Sequence, residues 1–391
     1  MTLNAKIPFT PFDGEQSFSS PPAIGILSTY PPTVCGLATF SAALADGLSA
    51  NGAGVGIVRI SDGSSTADPS VVGELISGSA RSIARCSELL NHNTIAVIQH
   101  EYGIYGGVDG DEVVEILRGL EVPSIVVAHT VLTRPSAHQR SVLEDIAAMA
   151  DQVVVMSDAA RRRLCFGYDV DPDTVTTIPH GATVPRDAPL RQTGRPTLLT
   201  WGLLGPGKGV ERVIDAMPAL RDVPGRPRYV IAGQTHPKVL AADGEAYRAA
   251  RIEQARRAGV TDSVSFDAGY RSVASLNELA QSAAAVVLPY DSTDQVTSGV
   301  LVDAIASGRP VVATAFPHAV ELLASGAGIV VDHDDPDALA TALRRVVTDP
   351  QLAGSMAREA RRLAPRMAWS VVAEAYLFLA QRLIAERSAL V

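Results

Sequence analysis

Residues 295–313 read Gln295-Val-Thr-Ser-Gly-Val-Leu-Val-Asp303-Ala-Ile-Ala-Ser-Gly308-Arg-Pro310-Val-Val-Ala313. This stretch follows an apolar run that ends at Leu288, and it predicts a loop, a helix and then a buried strand. A helix start offers unpaired N–H groups and a partial positive charge, so the amides of Thr297, Ser298 and Gly299 suit a diphosphate and its sugar. Asp303 lies about one and a half turns inside the helix, where a carboxylate can accept hydrogen bonds from two ribose hydroxyls. The stretch therefore predicts a phosphate-binding turn within a β-α-β unit.

Short apolar runs of the same kind recur along the whole chain and alternate with helical patterns. Because these runs are continuous, they suit parallel strands that are buried on both faces. We expect an α/β protein with two successive doubly wound parallel sheets and a ligand cleft at the carboxyl ends of their strands. The predicted strands are Ile24–Leu27, Gly54–Ile60, Ile95–Gln99, Ser124–Ala128, Gln152–Met156, Val175–Ile178, Thr197–Trp201, Arg228–Ala232, Ser263–Phe266, Ala285–Leu288, Pro310–Ala313 and Gly328–Val331.

The domain boundaries follow from shifts in composition. Pro185–Pro196 is polar and rich in proline and glycine, which is typical of a linker. The start of the chain is rich in proline and serine and lacks the cationic and apolar segments of a signal peptide. We predict a mobile leader over residues 1–21, a first Rossmann-like domain over 22–185, a linker over 186–196, a second Rossmann-like domain over 197–369, and a C-terminal helix over 370–391 that packs back on the first domain.

Composition excludes several classes of protein. The chain has 391 residues, 47% hydrophobic and 19% charged, which suits two folded domains. Its net charge of −9 argues against a nucleic-acid partner. Three cysteines without metal-like spacing indicate a reducing compartment, and no apolar run reaches the 18 or so residues of a membrane helix. We therefore expect a cytoplasmic protein with at most peripheral contact at the inner face of a membrane.

A glycine-rich loop, Gly202-Leu-Leu-Gly205-Pro-Gly207-Lys208-Gly209, follows the strand that ends at Trp201. It nearly matches a Walker A loop, but Gly209 stands where a magnesium-binding Ser or Thr is required. The loop therefore argues against a P-loop NTPase. Gly205, Gly207 and Lys208 remain candidates for phosphate contact.

Polar residues at the ends of first-domain strands are further candidates. His129 follows the strand Ser124–Ala128, and His100 and Glu101 end the preceding strand. Carboxyl ends of parallel strands face the cleft, so His129 is a candidate catalytic residue and the other two are weaker candidates for acceptor contact. Gly36 lies in the turn after the first strand, where backbone could approach a phosphate.

In their order and spacing these elements resemble glycosyltransferase family 4, over about residues 22–387. The family signature has two glutamates separated by seven residues, then an alanine-rich helix and a Gly-x-Pro-Val-Val-Ala strand. Asp303 falls on its second, ribose-binding acid, and Gln295 falls on its first, sugar-contacting acid. Lys208 falls on the lysine of the family's diphosphate loop, and His129 on the histidine directed at the transferred sugar.

Several positions depart from the family pattern. Gln295 is uncharged, and Asp294 beside it could supply the missing charge. Leu203 stands in place of the usual arginine of the diphosphate loop, and Cys35 replaces the first glycine of a Gly-Gly pair before Gly36. Whether these changes, together with the shorter acid Asp303, reduce activity or adapt it is left open by the sequence.

The resemblance implies a GT-B fold, two Rossmann-like domains facing across a cleft, with nucleotide on the second and acceptor on the first. It implies a retaining transferase that moves a hexose, mannose or glucose, from a GDP- or UDP-sugar to a saccharide or lipid-linked acceptor. No cofactor or metal is required in that family, and we interpret the Asp-x-Asp triplets of this chain as solvated loops. The alternatives are a nucleotide-sugar epimerase or sugar phosphorylase on the same fold, and a non-catalytic nucleotide-sugar-binding module.

Overall fold

Two parallel sheets organise the computed structural model, which describes residues 21–185, 194–269 and 271–389. The first sheet has seven strands in the order β3-β2-β1-β4-β5-β6-β7. Its strands are β1 (Ala23–Ser28), β2 (Gly54–Ile60), β3 (Val71–Leu75), β4 (Ile95–His100), β5 (Ser124–Ala128), β6 (Gln152–Val155) and β7 (Val175–Thr177). We call residues 21–185 the first half.

The second sheet has six strands in the order β10-β9-β8-β11-β12-β13. Its strands are β8 (Thr197–Trp201), β9 (Arg228–Ala232), β10 (Val264–Asp267), β11 (Ala285–Leu288), β12 (Val311–Thr314) and β13 (Gly328–Val331). We call residues 194–368 the second half. In each sheet the strand order reverses beside the first strand, between β1 and β4 and between β8 and β11. Ligands of doubly wound sheets bind beyond the carboxyl ends of such strand pairs.

Helices pack on both faces of the two sheets. They are α1 (Gly36–Ala50), α2 (Ala80–Asn91), α3 (Glu112–Arg118), α4 (Ala137–Met149), α5 (Asp158–Gly167), α6 (Val210–Ala216), α7 (Pro237–Asp243), α8 (Ala246–Arg257), α9 (Val273–Ser282), α10 (Gly299–Ala306), α11 (Pro317–Leu323), α12 (Pro336–Thr348), α13 (Pro350–Leu363) and α14 (Trp369–Ser388). Side-chain caps set several of their starts. The Asp335 carboxylate, for example, accepts from the amide of Ala338 at 2.8 Å and begins α12, as the Asp-Pro pair predicts.

The last helix returns to the first half. Residues of α14 such as Val372 and Tyr376 share one apolar core with α1 and with the strands of the first sheet. Gly47 permits the close approach, because a Cβ there would lie 2.8 Å from the Cβ of Ala373. The apolar face of α14 is therefore buried against the first sheet, although α14 follows the second sheet along the chain.

The two-sheet α/β architecture predicted from the sequence is confirmed, and each of the twelve predicted strands is present with small shifts at its ends. β3 was missed. It is a five-residue strand at the edge of its sheet, interrupted by Gly73, and the apolar signal of Val-Val-Gly-Glu-Leu is too short to stand out. Residues 1–20 of the predicted leader and 186–193 of the predicted linker lie outside the described residues. The exact domain boundaries stay a prediction.

Among the helices of the described residues, none combines the length and the apolar character needed to cross a bilayer.

Candidate functional site

Direct hydrogen bonds join the two halves across the cleft. The Ser157 hydroxyl at the start of α5 donates to the carbonyl oxygen of Val296 at 2.6 Å. The Glu321 carboxylate on α11 accepts from the amides of Asp158 and Ala159 at 2.9 and 2.7 Å. A carboxylate of the second half thus caps a helix of the first half, where the helix dipole favours negative charge. These contacts place the loop before α10 against the first sheet.

Asp294 takes part in the same contact between the halves. Its carboxylate accepts from the Thr133 hydroxyl and lies 3.5 Å from a guanidinium nitrogen of Arg163. Arg163 also donates to the carbonyl oxygens of Val131 and Asp294. The carboxylate is therefore engaged by the first half, and the negative charge that we expected Asp294 to lend to Gln295 is directed at Arg163.

The start of α10 is arranged by three hydrogen bonds. Ser298 is the N-cap, and its hydroxyl accepts from the amide of Leu301 at 3.2 Å. The Ser298 amide donates to Nδ1 of His318 at 2.9 Å, so it is not free for a ligand. In the described part of the chain, the Thr297 and Gly299 amides have no acceptor. Two of the three amides predicted to hold a diphosphate are thus available.

Gln295 lies in the loop before that helix. Its side-chain amide donates to the carbonyl oxygen of Thr297 at 2.9 Å, while its backbone carbonyl accepts from the amide of His318 at 3.2 Å. The orientation leaves the side-chain oxygen of Gln295 available to accept from a ligand hydroxyl.

Asp303 lies one turn into α10 and is half-buried. Burial raises the pKa of its carboxyl to about 7. Within the described residues no side chain or amide forms a hydrogen bond or an ion pair with this carboxylate. A buried acid without a protein partner costs stability unless a ligand supplies the hydrogen bonds, which is typical of a binding residue.

A cavity of about 410 Å³ opens beside the glycine loop, residues 202–209. Gly209 has φ 63°, and a Cβ there would lie 1.7 Å from the carbonyl oxygen of Pro289, so glycine is required where the loop meets the end of β11. Lys208 Nζ lies 4.7 Å from the centre of the Tyr290 ring. Residues that line the cavity include Gly205, Gly207, Lys208, Lys238, Tyr290 and Gln295.

A cluster of rings lies on the first-half side of the cleft. The Phe40 ring on α1 meets His129, His180 and Trp369 edge-on, with centroid distances of 4.9, 5.0 and 5.1 Å. His180 in turn contacts the second half, because its Nε2 lies 2.8 Å from the place that a Cβ on Gly299 would occupy. His129 is thus connected to the start of α10 through two rings.

His129 itself is held in one orientation. Its Nε2 lies 2.7 Å from the side-chain oxygen of Gln99, which requires the tautomer that carries the proton on Nε2. Burial, together with the smaller effects of the nearby imidazoles of His180 and His100, lowers the pKa of His129 to about 3. The ring is therefore neutral near pH 7 and acts as a hydrogen-bonding group rather than as a cation.

The weaker candidates differ in accessibility. His100 is fully buried, and neither of its ring nitrogens has a hydrogen-bond partner. Glu101 is only partly buried and accepts from the Thr130 hydroxyl, so the predicted acceptor contact depends on Glu101 more than on His100. Gly36 is the exposed first residue of α1, capped by Cys35, whose sulfur accepts from the amide of Ala38 at 3.3 Å. A Cβ on Gly36 would meet no atom of the described residues within 4 Å.

Sequence reasoning missed three residues of this site: Phe40, His318 and Trp369. Phe40 and Trp369 have the helical spacing of ordinary core residues. His318 carries no motif of its own, and its bond to Ser298 depends on how α11 folds back on α10. His180 follows the predicted strand Val175–Ile178, and nothing in the sequence indicates its contact with Gly299.

Known proteins share this architecture and part of this sequence. Residues 195–349 match the family model for glycosyl transferases, group 1. The D-inositol 3-phosphate glycosyltransferase of Corynebacterium kroppenstedtii is 29% identical over 283 residues, which cover 65% of this chain and 61% of that protein. The enzyme of the same name from Corynebacterium glutamicum is 28% identical over 286 residues, 66% of each chain. The chain therefore spans slightly less than two thirds of the length of these relatives.

Solved structures match over nearly the whole chain. The sucrose-phosphate synthase of Thermosynechococcus elongatus has a TM-score of 0.76 at 17% identity, over 93% of this chain and 100% of that one. HepE of Anabaena in complex with UDP and glucose has a TM-score of 0.70 at 16% identity, over 92% and 100%. At these identities the likeness shows the fold. The predicted GT-B fold and the resemblance to family 4 glycosyltransferases are therefore confirmed.

Proposed function

We propose that this protein is a retaining glycosyltransferase that moves a hexose from a nucleoside-diphosphate sugar to an acceptor. One observation carries the proposal. Lys208 and Gln295, far apart in the sequence, line one cavity at the carboxyl ends of β8 and β11. A lysine ammonium group binds phosphate, and a glutamine amide binds sugar hydroxyls. The cavity lies where a doubly wound sheet binds its ligand.

The residues divide the transfer between them. Lys208 and the amides of Thr297 and Gly299 stabilise the diphosphate as negative charge develops on it. Asp303 holds the ribose, and Gln295 and neutral His129 hold the transferred hexose. With the leaving group and the acceptor on the same face of the sugar, configuration is retained, as the resemblance to family 4 implies.

The proposal includes no metal step. Asp109 and Asp111, the outer residues of one of the Asp-x-Asp triplets, both pair with His138, at 3.2 and 3.4 Å. Transfer is expected to persist in EDTA. Complete loss of transfer in EDTA, restored by Mn²⁺ or Mg²⁺, would contradict this part of the proposal.

The donor is a UDP- or GDP-hexose, with glucose and mannose as the first candidates, and the acceptor is a saccharide or a lipid-linked saccharide. HepE was solved with UDP and glucose, which supports a UDP-sugar. The relatives are named for D-inositol 3-phosphate, which adds a phosphorylated polyol to the acceptors that deserve a trial. We keep a cytoplasmic location, with at most peripheral membrane contact, as part of the proposal.

The experiment is a screen of UDP-glucose and GDP-mannose against monosaccharides, oligosaccharides, a lipid-linked saccharide and D-inositol 3-phosphate, with products detected by mass. The Asp303→Ala variant should lose nucleoside-diphosphate affinity, because a charged acceptor of two hydroxyls is removed. The His129→Ala variant should keep that affinity and lose turnover, because His129 comes from the first half and meets the sugar.

The other outcomes are distinct. Nucleotide release without any acceptor would favour hydrolysis or isomerisation, and tight donor binding without turnover would favour a binding module. If UDP and GDP leave the thermal melt unmoved, the donor site is wrong, since ligand at about a hundred times its Kd should stabilise the fold by roughly 2.7 kcal/mol.

A further inference from the structure

The chain is poor in lysine and places its lysines unusually. Lysine and arginine together number 33, and only Lys6, Lys208 and Lys238 are lysines. Lys6 lies outside the described residues. The other two line the same cavity, although they belong to different segments of the second half. Lys238 has no part in the family resemblance and no role in the function proposed above.

The segment that carries Lys238 is fixed to the glycine loop by backbone pairing. The Leu204 amide donates to the carbonyl oxygen of Gln234 at 2.8 Å, and the His236 amide donates to the carbonyl oxygen of Leu204 at 2.8 Å. Buried Arg248 ties the same segment down by donating to the carbonyl oxygen of Gly233 at 2.7 Å. These hydrogen bonds hold the backbone next to Lys238 in place beside the loop that carries Lys208.

The packing brings Lys238 close to that loop. Gly205 of the loop lies against Val239, since a Cβ on Gly205 would be 3.0 Å from a methyl group of Val239. The residue beside Lys238 therefore touches the loop directly. Lys238 itself is exposed, so its flexible side chain is free to turn into the cavity.

The two lysines that line the cavity, Lys208 and Lys238, are not part of a close ion pair. Neither forms one within 4.0 Å with any carboxylate of the described residues. Burial lowers the pKa of His236, and the charges of Lys238 and Lys208 lower it further. Lys238 also acts on Glu101 across the cleft. Burial raises the pKa of Glu101, and the Thr130 hydroxyl, the Tyr102 amide and Lys238 offset part of that rise. Two ammonium groups thus face one cavity, and among the described residues the carboxylate that acts on Lys238, that of Glu101, lies beyond ion-pair distance.

We propose that Lys238 is a second cation of the diphosphate site, which contacts the leaving diphosphate together with Lys208. The inference rests on the proposed function. A diphosphate carries more than one negative charge, and two ammonium groups in one cavity neutralise it better than one. Lys238 is then specific for the second phosphate and adds little to the binding of a nucleoside monophosphate.

Titration calorimetry of the full chain with UDP, GDP, UMP and GMP tests the assignment. Lys238→Met should weaken the nucleoside diphosphate that the wild type binds by about tenfold or more, and weaken the matching monophosphate less than about twofold. Lys238→Arg should restore most of the loss. Arg257→Met, at an exposed basic position on α8, is the matched control and should bind all four nucleotides like the wild type.

Each remaining outcome is decisive. If the wild type binds neither UDP nor GDP, the proposed function fails and the inference falls with it. If the wild type binds a diphosphate and Lys238→Met binds it equally well, the inference alone is overturned. Equal loss of monophosphate and diphosphate affinity would also overturn it. The inference would likewise be overturned if Lys238→Met kept its diphosphate affinity but lost transfer to D-inositol 3-phosphate, because Lys238 would then face the acceptor.

Discussion

His180 of the first half and Gly299 of the second half are in contact at the centre of the cleft, with His180 Nε2 only 2.8 Å from the place of a Cβ on Gly299. The imidazole cannot easily retreat. It packs against the Phe40 and Trp369 rings, and its Nδ1 is 2.6 Å from the carbonyl oxygen of Gly181. The absence of a side chain at Gly299 therefore sets how closely the helix that begins there approaches the first half.

Gly299→Ala should open this contact. The added methyl group must displace the His180 ring or the start of α10, and interiors repack poorly around an extra carbon. We expect a lower melting temperature, corresponding to roughly 1–3 kcal/mol, and weaker binding of UDP or GDP. The control is Gly167→Ala at the end of α5, where a Cβ meets nothing within 4 Å. Equal melts for both variants would show that the cleft tolerates the methyl group.

Asp303→Asn should stabilise the free protein at pH 8 while it weakens nucleotide binding. Burial raises the pKa of Asp303 to about 7, above its unfolded value. The carboxyl therefore stabilises the fold at low pH and loses that contribution as pH rises through about 7, so its charge destabilises the fold at pH 8. Removing that charge should add on the order of 2 kcal/mol to the free energy of unfolding.

Urea unfolding at pH 5 and pH 8, with and without UDP or GDP, measures both effects. The gain from Asp303→Asn should be about three times larger at pH 8 than at pH 5, because the loss begins near the unfolded pKa and is complete only above the folded one. Asp332→Asn, at an exposed position after β13, is the control and should show no such difference. If Asp303→Asn lowers stability at pH 8, the carboxylate has a partner in the fold and the ribose assignment loses its physical basis.

The sequence predicts the strands of this protein better than it predicts the cleft. Strands such as Ile95–His100 are buried on both faces, so their apolar runs are continuous and easy to locate. The contacts of His180 with Gly299 and of His318 with Ser298 join residues more than fifteen positions apart, and they depend on how loops fold over the sheet ends. The resemblance to a family located Asp303 and Lys208, because those residues lie at fixed offsets from a strand. It could not locate Lys238, which lies in the first turn of the short helix α7 and belongs to no motif of the family.

Gln295→Glu should reduce activity rather than restore it. The family has an acid at this position, but here the side-chain amide donates to the carbonyl oxygen of Thr297 at 2.9 Å. A carboxylate cannot donate, so two oxygens would face each other next to the Thr297 and Gly299 amides that we assign to the diphosphate. Turnover should fall by about tenfold, with a smaller change in nucleotide affinity.

Steady-state kinetics with the donor found in the screen compare Gln295→Glu with Asp294→Asn. The second variant keeps the backbone bond from Arg163 and loses only a side-chain charge directed at the first half, so it should leave turnover closer to the wild type. A rise in turnover for Gln295→Glu would instead mean that the reaction still benefits from the acid that the family has at this position.

Acid should destabilise the fold between about pH 6.5 and 4, because of its buried histidines. Burial lowers the pKa of His100 and His180 to about 4 and that of His318 to about 3, all below the unfolded value near 6.5. The unfolded chain takes up protons first, so the stability that these neutral rings contribute is complete above pH 6.5 and is lost as pH falls towards their folded values. Each ring should cost about 2 kcal/mol at pH 5 relative to pH 8.

His100→Leu isolates one ring. Neither of its nitrogens has a hydrogen-bond partner, so an apolar side chain removes the titration without leaving a bond unmade. Its free energy of unfolding, measured in urea, should fall less between pH 8 and pH 5 than that of the wild type, by about 2 kcal/mol. His92→Leu at an exposed position should keep the wild-type pH dependence. Asp303 acts in the opposite sense and is present in all three proteins, so it cancels in the comparison. Identical slopes for His100→Leu and the wild type would show that the buried ring does not titrate on unfolding.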